Sequence, residues 1–118
     1  MANYFTRKEL ECKCCGQCLI SDELLGRLNQ AREMAGIPFI ITSGYRCQKH
    51  NEEVGGKPNS AHVAGNAVDI AFKNSNQCFK ILKALYDAGF KRLGINFAKS
   101  VIHCDVDYSK PQNVLFKY

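Results

Sequence analysis

The sequence has no long hydrophobic run, no internal repeat and no low-complexity segment. Because a membrane-spanning helix needs about 18 or more mostly apolar residues in succession, we expect no part of the chain to insert into a membrane. The first residues also lack a basic patch followed by an apolar stretch, so no secretory signal is predicted. The length of 118 residues suits one domain, and we predict a single domain over residues 1–118.

Neither the basic nor the acidic residues form long runs along the sequence. Sixteen Lys and Arg against eleven Asp and Glu give a net charge of +5, and the basic residues are scattered. This mild excess would attract anionic polymers weakly and select none of them, and it also fits an ordinary solvated surface. The apolar fraction of 46% excludes a disordered chain. We predict a monomer that has no nucleic-acid partner.

The spacing of apolar residues divides the chain into helices and strands. Helical stripes follow Ser21 and Ser75 and stop at Gly36 and Gly89, and a short helical turn is predicted over residues 6–10. Four short runs predict strands, at residues 39–42, 67–72, 91–96 and 101–107. Because two of these strands have one polar face, we predict an α+β fold in which helices pack on one face of a small antiparallel sheet.

The polar faces of two strands carry candidate metal ligands. Alternation puts Asp69 on the polar face of one strand, and His103 and Asp105 on that of the other. If the strands pair, Asp69 and His103 project together, and the loop that holds His62 can fold over them. Two imidazoles and a carboxylate form the three-ligand set of catalytic zinc, with a fourth position for water. Spacing alone also allows that these are ordinary solvated or hydrogen-bonded residues.

Several short motifs occur in a fixed order along nearly the whole chain. They are Ser43-Gly44-Tyr45-Arg46, His50-Asn51, Val54-Gly55-Gly56, Ser60-x-His62-x-x-Gly65-x-Ala67-x-Asp69 and His103-x-Asp105. Together they resemble the signature of the zinc D-Ala-D-Ala carboxypeptidase family, above all its short single-domain members from bacteria and phages. The same fold occurs in Hedgehog signalling domains, so a zinc site on this fold does not by itself establish catalysis.

The resemblance implies that His62, Asp69 and His103 bind one catalytic Zn²⁺. It also implies hydrolysis of peptidoglycan stem peptides by metal-activated water, either as a D,D-carboxypeptidase or as a murein endopeptidase. Arg46 would lie near the metal and hold a substrate carboxylate or developing negative charge, unless it only forms a structural ion pair. Ser60 matches a serine that contacts substrate, unless its hydroxyl only caps the loop. We expect synthesis in the cytoplasm and a phage-type route to the cell wall.

The sequence departs from the family pattern at the general base. Many members carry an acid three residues before the last zinc histidine, or a histidine two before it, whereas this chain has Ser100 and Val101 there. We predict that Asp105 is the base, with Asp107 a weaker candidate. Asp105 would otherwise orient His103 or be a surface carboxylate. If neither aspartate serves, either the base comes from elsewhere or the protein is a non-catalytic zinc module that binds cell-wall peptides or a protein partner.

Seven cysteines are a high and odd number for this length. Four of them lie within seven residues, at Cys12, Cys14, Cys15 and Cys18. Because four-thiolate zinc sites normally use two separated Cys-x-x-Cys pairs, free or buried thiols are favoured here over a second metal. Cys47, which follows Arg46, is expected near this group or near the candidate metal site. Cys78 and Cys104 lie on apolar faces of a helix and a strand and are predicted to be inert core thiols. A cysteine-rich nucleic-acid or redox module is the least favoured function.

Overall fold

A computed structural model describes residues 3–118, within which the chain forms four helices and five strands. Their order is α1 (Arg7–Leu10), α2 (Asp22–Ala35), β1 (Ile40–Ser43), α3 (Gln48–Glu53), β2 (Ala67–Ala71), α4 (Ser75–Asp87), β3 (Arg92–Asn96), β4 (Val101–Asp105) and β5 (Val114–Lys117). The sequence did not predict α3 or β5. Within the described residues, no helix has the length and hydrophobicity needed to cross a membrane.

The strands form one mixed sheet in the order β1-β2-β4-β3-β5. The pairs β1–β2, β2–β4 and β4–β3 are antiparallel, and β5 pairs with β3 in the parallel direction. The predicted α+β fold with helices on one face of a small sheet is confirmed. The parallel edge strand is an addition to it, because a run of four residues after a turn-rich stretch gives too little periodicity to identify a strand.

Capping residues set the ends of the two long helices. Ser21 Oγ accepts a hydrogen bond from the Leu24 N–H at 3.2 Å, and Gly36 ends α2 in the left-handed conformation. Asn74 Oδ1 accepts from the Gln77 N–H at 2.9 Å and begins α4. Both helices turn an apolar side to the sheet. Together with the sheet's inner face they form a core that includes Leu24, Leu28, Val68, Ile70, Ile81, Leu85, Ile102 and Cys104.

The register between β2 and β4 separates an apolar face from a polar one. Asp69 pairs with His103, and Val68 pairs with Cys104. Val68 and Cys104 are fully buried in the core. Since side chains alternate along a strand, Asp69 and His103 project side by side from the opposite face. The candidate ligands therefore stand on a packed, rigid support.

Candidate metal centre

Three side chains converge on the open face of the sheet. His62, Asp69 and His103 each offer one ligand atom, and these atoms lie within 4.8 Å of one another. Asp69 Oδ1 is 3.3 Å from His62 Nε2 and 3.0 Å from His103 Nδ1. The structure thus brings together the three residues that the sequence suggested as ligands. Paired strands supply two of them, and the loop before β2 supplies His62.

The other ring nitrogen of each histidine is held by an acceptor. His62 Nδ1 is 2.8 Å from the Gly44 carbonyl oxygen, and His103 Nε2 is 2.7 Å from Asp105 Oδ2. A carbonyl or a carboxylate oxygen only accepts hydrogen bonds, so a proton on each of these outer nitrogens is held in place. With the protons there, the lone pairs of His62 Nε2 and His103 Nδ1 point towards Asp69 Oδ1, as a shared metal ion requires; without the ion, protons on these inner nitrogens are donated to Asp69.

Three acceptor atoms that face one another repel unless a cation lies among them. A proton on His103 meets part of this need. Burial opposes the positive charge of the ring, but hydrogen bonds with Asp105 and Asp69 raise the pKa of His103. Burial likewise opposes ionisation of Asp69, yet hydrogen bonds from His103 and His62 hold its pKa well below the usual range. A divalent ion would satisfy all three atoms at once. Two imidazole nitrogens and one carboxylate oxygen fit zinc.

Arg46, in the loop after β1, holds the second oxygen of Asp69. Its Nη2 is 3.4 Å from Asp69 Oδ2, its Nε donates to Ser43 Oγ at 3.0 Å, and its Nη1 donates to Asn51 Oδ1 at 3.3 Å. The Arg46 side chain is 15% exposed and lines the cleft above the ligands. It forms the ion pair that the sequence analysis kept as an alternative, and it also faces the space in which a substrate would lie.

Two glycines let the loops around the site approach one another closely. A Cβ atom on Gly44 would lie 2.5 Å from the Leu10 carbonyl oxygen, and a Cβ on Gly65 would lie 1.7 Å from the Leu19 carbonyl oxygen. Gly65 also has a φ of 75°, which side chains rarely tolerate. The close approach at Gly44 fixes the carbonyl group to which His62 donates.

Asp105 lies behind His103 with both oxygens engaged. It is 2% exposed, and its oxygens are 3.0 and 3.2 Å from Arg92 Nε. It also accepts from the backbone N–H of Asp107 at 3.0 Å. Burial opposes ionisation, but the bonds from His103 and Asp107, with the charge of Arg92, lower the pKa of Asp105. The sequence analysis missed Arg92, because its register opposite Asp105 is visible only once β3 and β4 are paired.

The ligands lie in a cleft of about 310 Å³. The rings of Phe116 and Tyr118, at the end of β5, form one wall, with centroids 5.8 and 6.1 Å from that of His103. Burial and the charge of Asp69 raise the pKa of Tyr118, so its hydroxyl keeps its proton. Ser60 lines the cleft and also accepts from the His62 backbone N–H at 3.2 Å. The basic side chains in the lining are Arg46, Lys57, Arg92 and Lys110.

A larger groove of about 870 Å³ lies elsewhere, between α4 and the β3–β5 edge. Its lining is mostly apolar and includes Phe79, Leu82, Tyr86, Leu93 and Leu115. Over residues 3–118, that lining includes no histidine and no cysteine. Within the described residues, the candidate metal ligands line the smaller cleft and not this groove.

An α+β domain with two histidines and an aspartate gathered in a cleft has the composition of a metallohydrolase. A profile of the family described as Peptidase M15 matches residues 3–105, and the chain belongs to this family of zinc D-Ala-D-Ala carboxypeptidases. The resemblance noted in the sequence is thereby confirmed, and the match places the chain among zinc-dependent metallopeptidases. A search of the curated proteins finds no significant match.

Proposed function

We propose that this protein hydrolyses peptide bonds in peptidoglycan stem peptides, as a D,D-carboxypeptidase or a murein endopeptidase. One zinc ion would be held by His62, Asp69 and His103. The observation that carries the proposal is the convergence of three acceptor atoms, with the outer nitrogen of each histidine already engaged. Zinc in such a site supplies a Lewis acid that polarises a carbonyl group and activates water at neutral pH.

In this proposal Asp105 orients His103 and does not accept the proton of water. Its carboxylate is almost wholly buried, and Arg92 and His103 occupy its oxygens. A carboxylate that already accepts from a cationic guanidinium is a weak base, in keeping with the lowered pKa of Asp105. Holding the outer nitrogen of a metal-binding histidine is the usual task of a carboxylate in this position. The general base then comes from another group.

Arg46 has donors left for a substrate. A guanidinium carries five N–H groups, and three of those of Arg46 reach Ser43, Asn51 and Asp69. Two remain for the terminal carboxylate of a stem peptide, or for negative charge that develops during hydrolysis. The cleft's basic lining favours an anionic end of this kind. Ser60, which also lines the cleft, would contribute its hydroxyl to the substrate.

A second candidate is a non-catalytic zinc module that binds cell-wall peptides or a protein partner. The observation in its favour is the missing base: Ser100 and Val101 cannot accept a proton at neutral pH, and Asp105 is engaged with Arg92. Such a module would keep the zinc and the cleft without turnover. The monomeric state and the phage-type route to the cell wall stay predictions.

Turnover by the zinc-loaded protein separates the two candidates. We would incubate it with a pentapeptide that ends in D-Ala-D-Ala and with purified sacculi, and identify the products by mass spectrometry. Released D-alanine or cleaved cross-links support the hydrolase. Zinc binding without product from either substrate contradicts it and favours the binding module. His62→Ala should lose the zinc in the cleft and form no product. His50→Ala, which changes a histidine outside the cleft, should keep that zinc and the turnover.

A further inference from the structure

A second group of side chains with metal-binding chemistry lies outside the cleft. The sulfur atoms of Cys12, Cys15 and Cys47 lie within 4.8 Å of one another. Cys12 is buried, Cys47 is partly buried and Cys15 is exposed. This is not the set of four neighbouring cysteines considered from the sequence. Cys12 and Cys15 form a Cys-x-x-Cys pair, and the third thiol comes from the loop after β1.

The backbone around this group, which we call the thiol cluster (Cys12, Cys15 and Cys47), is arranged to stabilise negative sulfur. The Cys47 N–H donates to Cys12 Sγ at 3.4 Å, and the His50 N–H donates to Cys47 Sγ at 3.4 Å. Gly16 follows the pair with a φ of 75°, and its N–H donates to the Cys12 carbonyl at 2.8 Å. This tight turn directs both thiols of the pair to the same side.

The sulfur of Cys12 is placed where a thiolate would be stabilised, because the Cys47 backbone N–H points at it. A thiolate is the form of cysteine that binds metals. A shared cation would stabilise three sulfur atoms that lie this close together, as it would the three candidate ligand atoms in the cleft.

We propose that Cys12, Cys15 and Cys47 bind a second zinc ion, as a structural site, with Cys14 or a water molecule as the fourth ligand. Thiolates bound to one tetrahedral zinc at about 2.3 Å lie roughly 3.8 Å apart. The three sulfur atoms lie within 4.8 Å of one another, which is close enough to share such an ion. The cysteines are free thiols in the structure. Cys14 is a candidate for the fourth position because it lies between Cys12 and Cys15 in the same tight turn.

Such an ion would clamp the N-terminal segment onto the loop that builds the cleft. Cys47 directly follows Arg46, and the neighbouring Tyr45 N–H donates to the Leu10 carbonyl at 2.9 Å. Gly44, whose carbonyl orients His62, belongs to the same loop. The second ion would therefore hold the backbone that positions the metal ligands, without contacting a substrate. The proposal does not depend on peptidase activity.

The experiment uses the full chain, purified under reducing, anaerobic conditions and loaded with zinc or with cobalt(II). We expect two zinc ions per chain and, with cobalt, a thiolate-to-metal charge-transfer band in the near ultraviolet. His62→Ala should keep the band and lose one ion. Cys47→Ser should lose the band and one ion, while Cys78→Ala, which removes a thiol outside the thiol cluster, should keep the band and both ions.

The wild-type spectrum decides the matter even if a cysteine variant fails to fold. A single zinc that disappears in His62→Ala, with no charge-transfer band in the cobalt protein, would overturn the proposal. So would a titration under denaturing conditions that finds two thiols fewer than the seven in the sequence, because a disulfide would then occupy the thiol cluster.

Discussion

Replacing Asp105 by asparagine separates its two possible roles. The carboxylate accepts from His103 Nε2 at 2.7 Å and from Arg92 Nε at 3.0 and 3.2 Å. An asparagine can present its oxygen to one of these donors, and its NH₂ group then faces the other. The Asp105 side chain is 1% exposed and that of Arg92 is 12% exposed, so the substitution leaves a guanidinium without its counter-charge in a poorly solvated position.

The expected effects follow from that geometry. Losing one partner of a buried ion pair lowers the free energy of unfolding by about 3–5 kcal/mol, and the hydrogen bond that Asn retains puts Asp105→Asn near the lower end. Losing the group that orients a metal-binding histidine weakens metal binding roughly 10- to 100-fold, or about 1.4–2.7 kcal/mol. If Asp105 only orients His103, kcat at saturating zinc should stay within a few-fold of the wild-type value.

The assay combines zinc affinity, from competition with a chromophoric chelator, and turnover of the D-Ala-D-Ala pentapeptide across zinc concentrations. His62→Ala identifies which zinc is being followed. Asp87→Asn is the control, because the Asp87 carboxylate, on α4, accepts from Lys83 and does not line the cleft. Unchanged zinc affinity with a loss of kcat of about 100-fold or more would refute the orienting role and support Asp105 as the base.

Three further changes test other parts of the structure. Gly65→Ala should lower the free energy of unfolding by about 3 kcal/mol or more, because its φ is strained and the Leu19 carbonyl blocks a Cβ; an unchanged denaturation midpoint would contradict this. Zinc affinity in the cleft should fall about tenfold per pH unit below the raised pKa of His103, since a proton there competes with the metal; a flat profile in a chelator competition would count against it. Arg46→Lys should keep the zinc and raise KM for the pentapeptide roughly tenfold, because lysine lacks the planar fork; an unchanged KM in steady-state kinetics would leave Arg46 only its ion pair with Asp69.

Local patterns along the chain predicted three of the four helices and four of the five strands that the structure describes. They also placed Asp69 and His103 on one face, because the two-residue period of a strand is set by the backbone and the other face is apolar. The pairing of segments that are distant in sequence could not be predicted from any local pattern. The position of Arg92 opposite Asp105 depends on strand register.

The sequence left open whether Cys47 lies near the N-terminal cysteines or near the site, and it did not predict β5, for the same reason. Cys47 reaches Cys12 only because the loop after β1 docks on the N-terminal segment, a contact between residues far apart in sequence. The Cys-x-x-Cys spacing links two of the three residues of the thiol cluster, Cys12 and Cys15. β5 joins the sheet beside β3 as a short edge strand whose exposure alternates weakly, so its aromatic residues gave no sign that they would border the cleft.

The place of Tyr118 beside His103 has a practical consequence for making the protein. The ring of Tyr118 is 6.1 Å from that of His103, so residues joined directly after Tyr118 would start beside the cleft. A polyhistidine tag fused there would bring extra imidazoles to the candidate metal site and distort the measured stoichiometry, affinity and turnover alike.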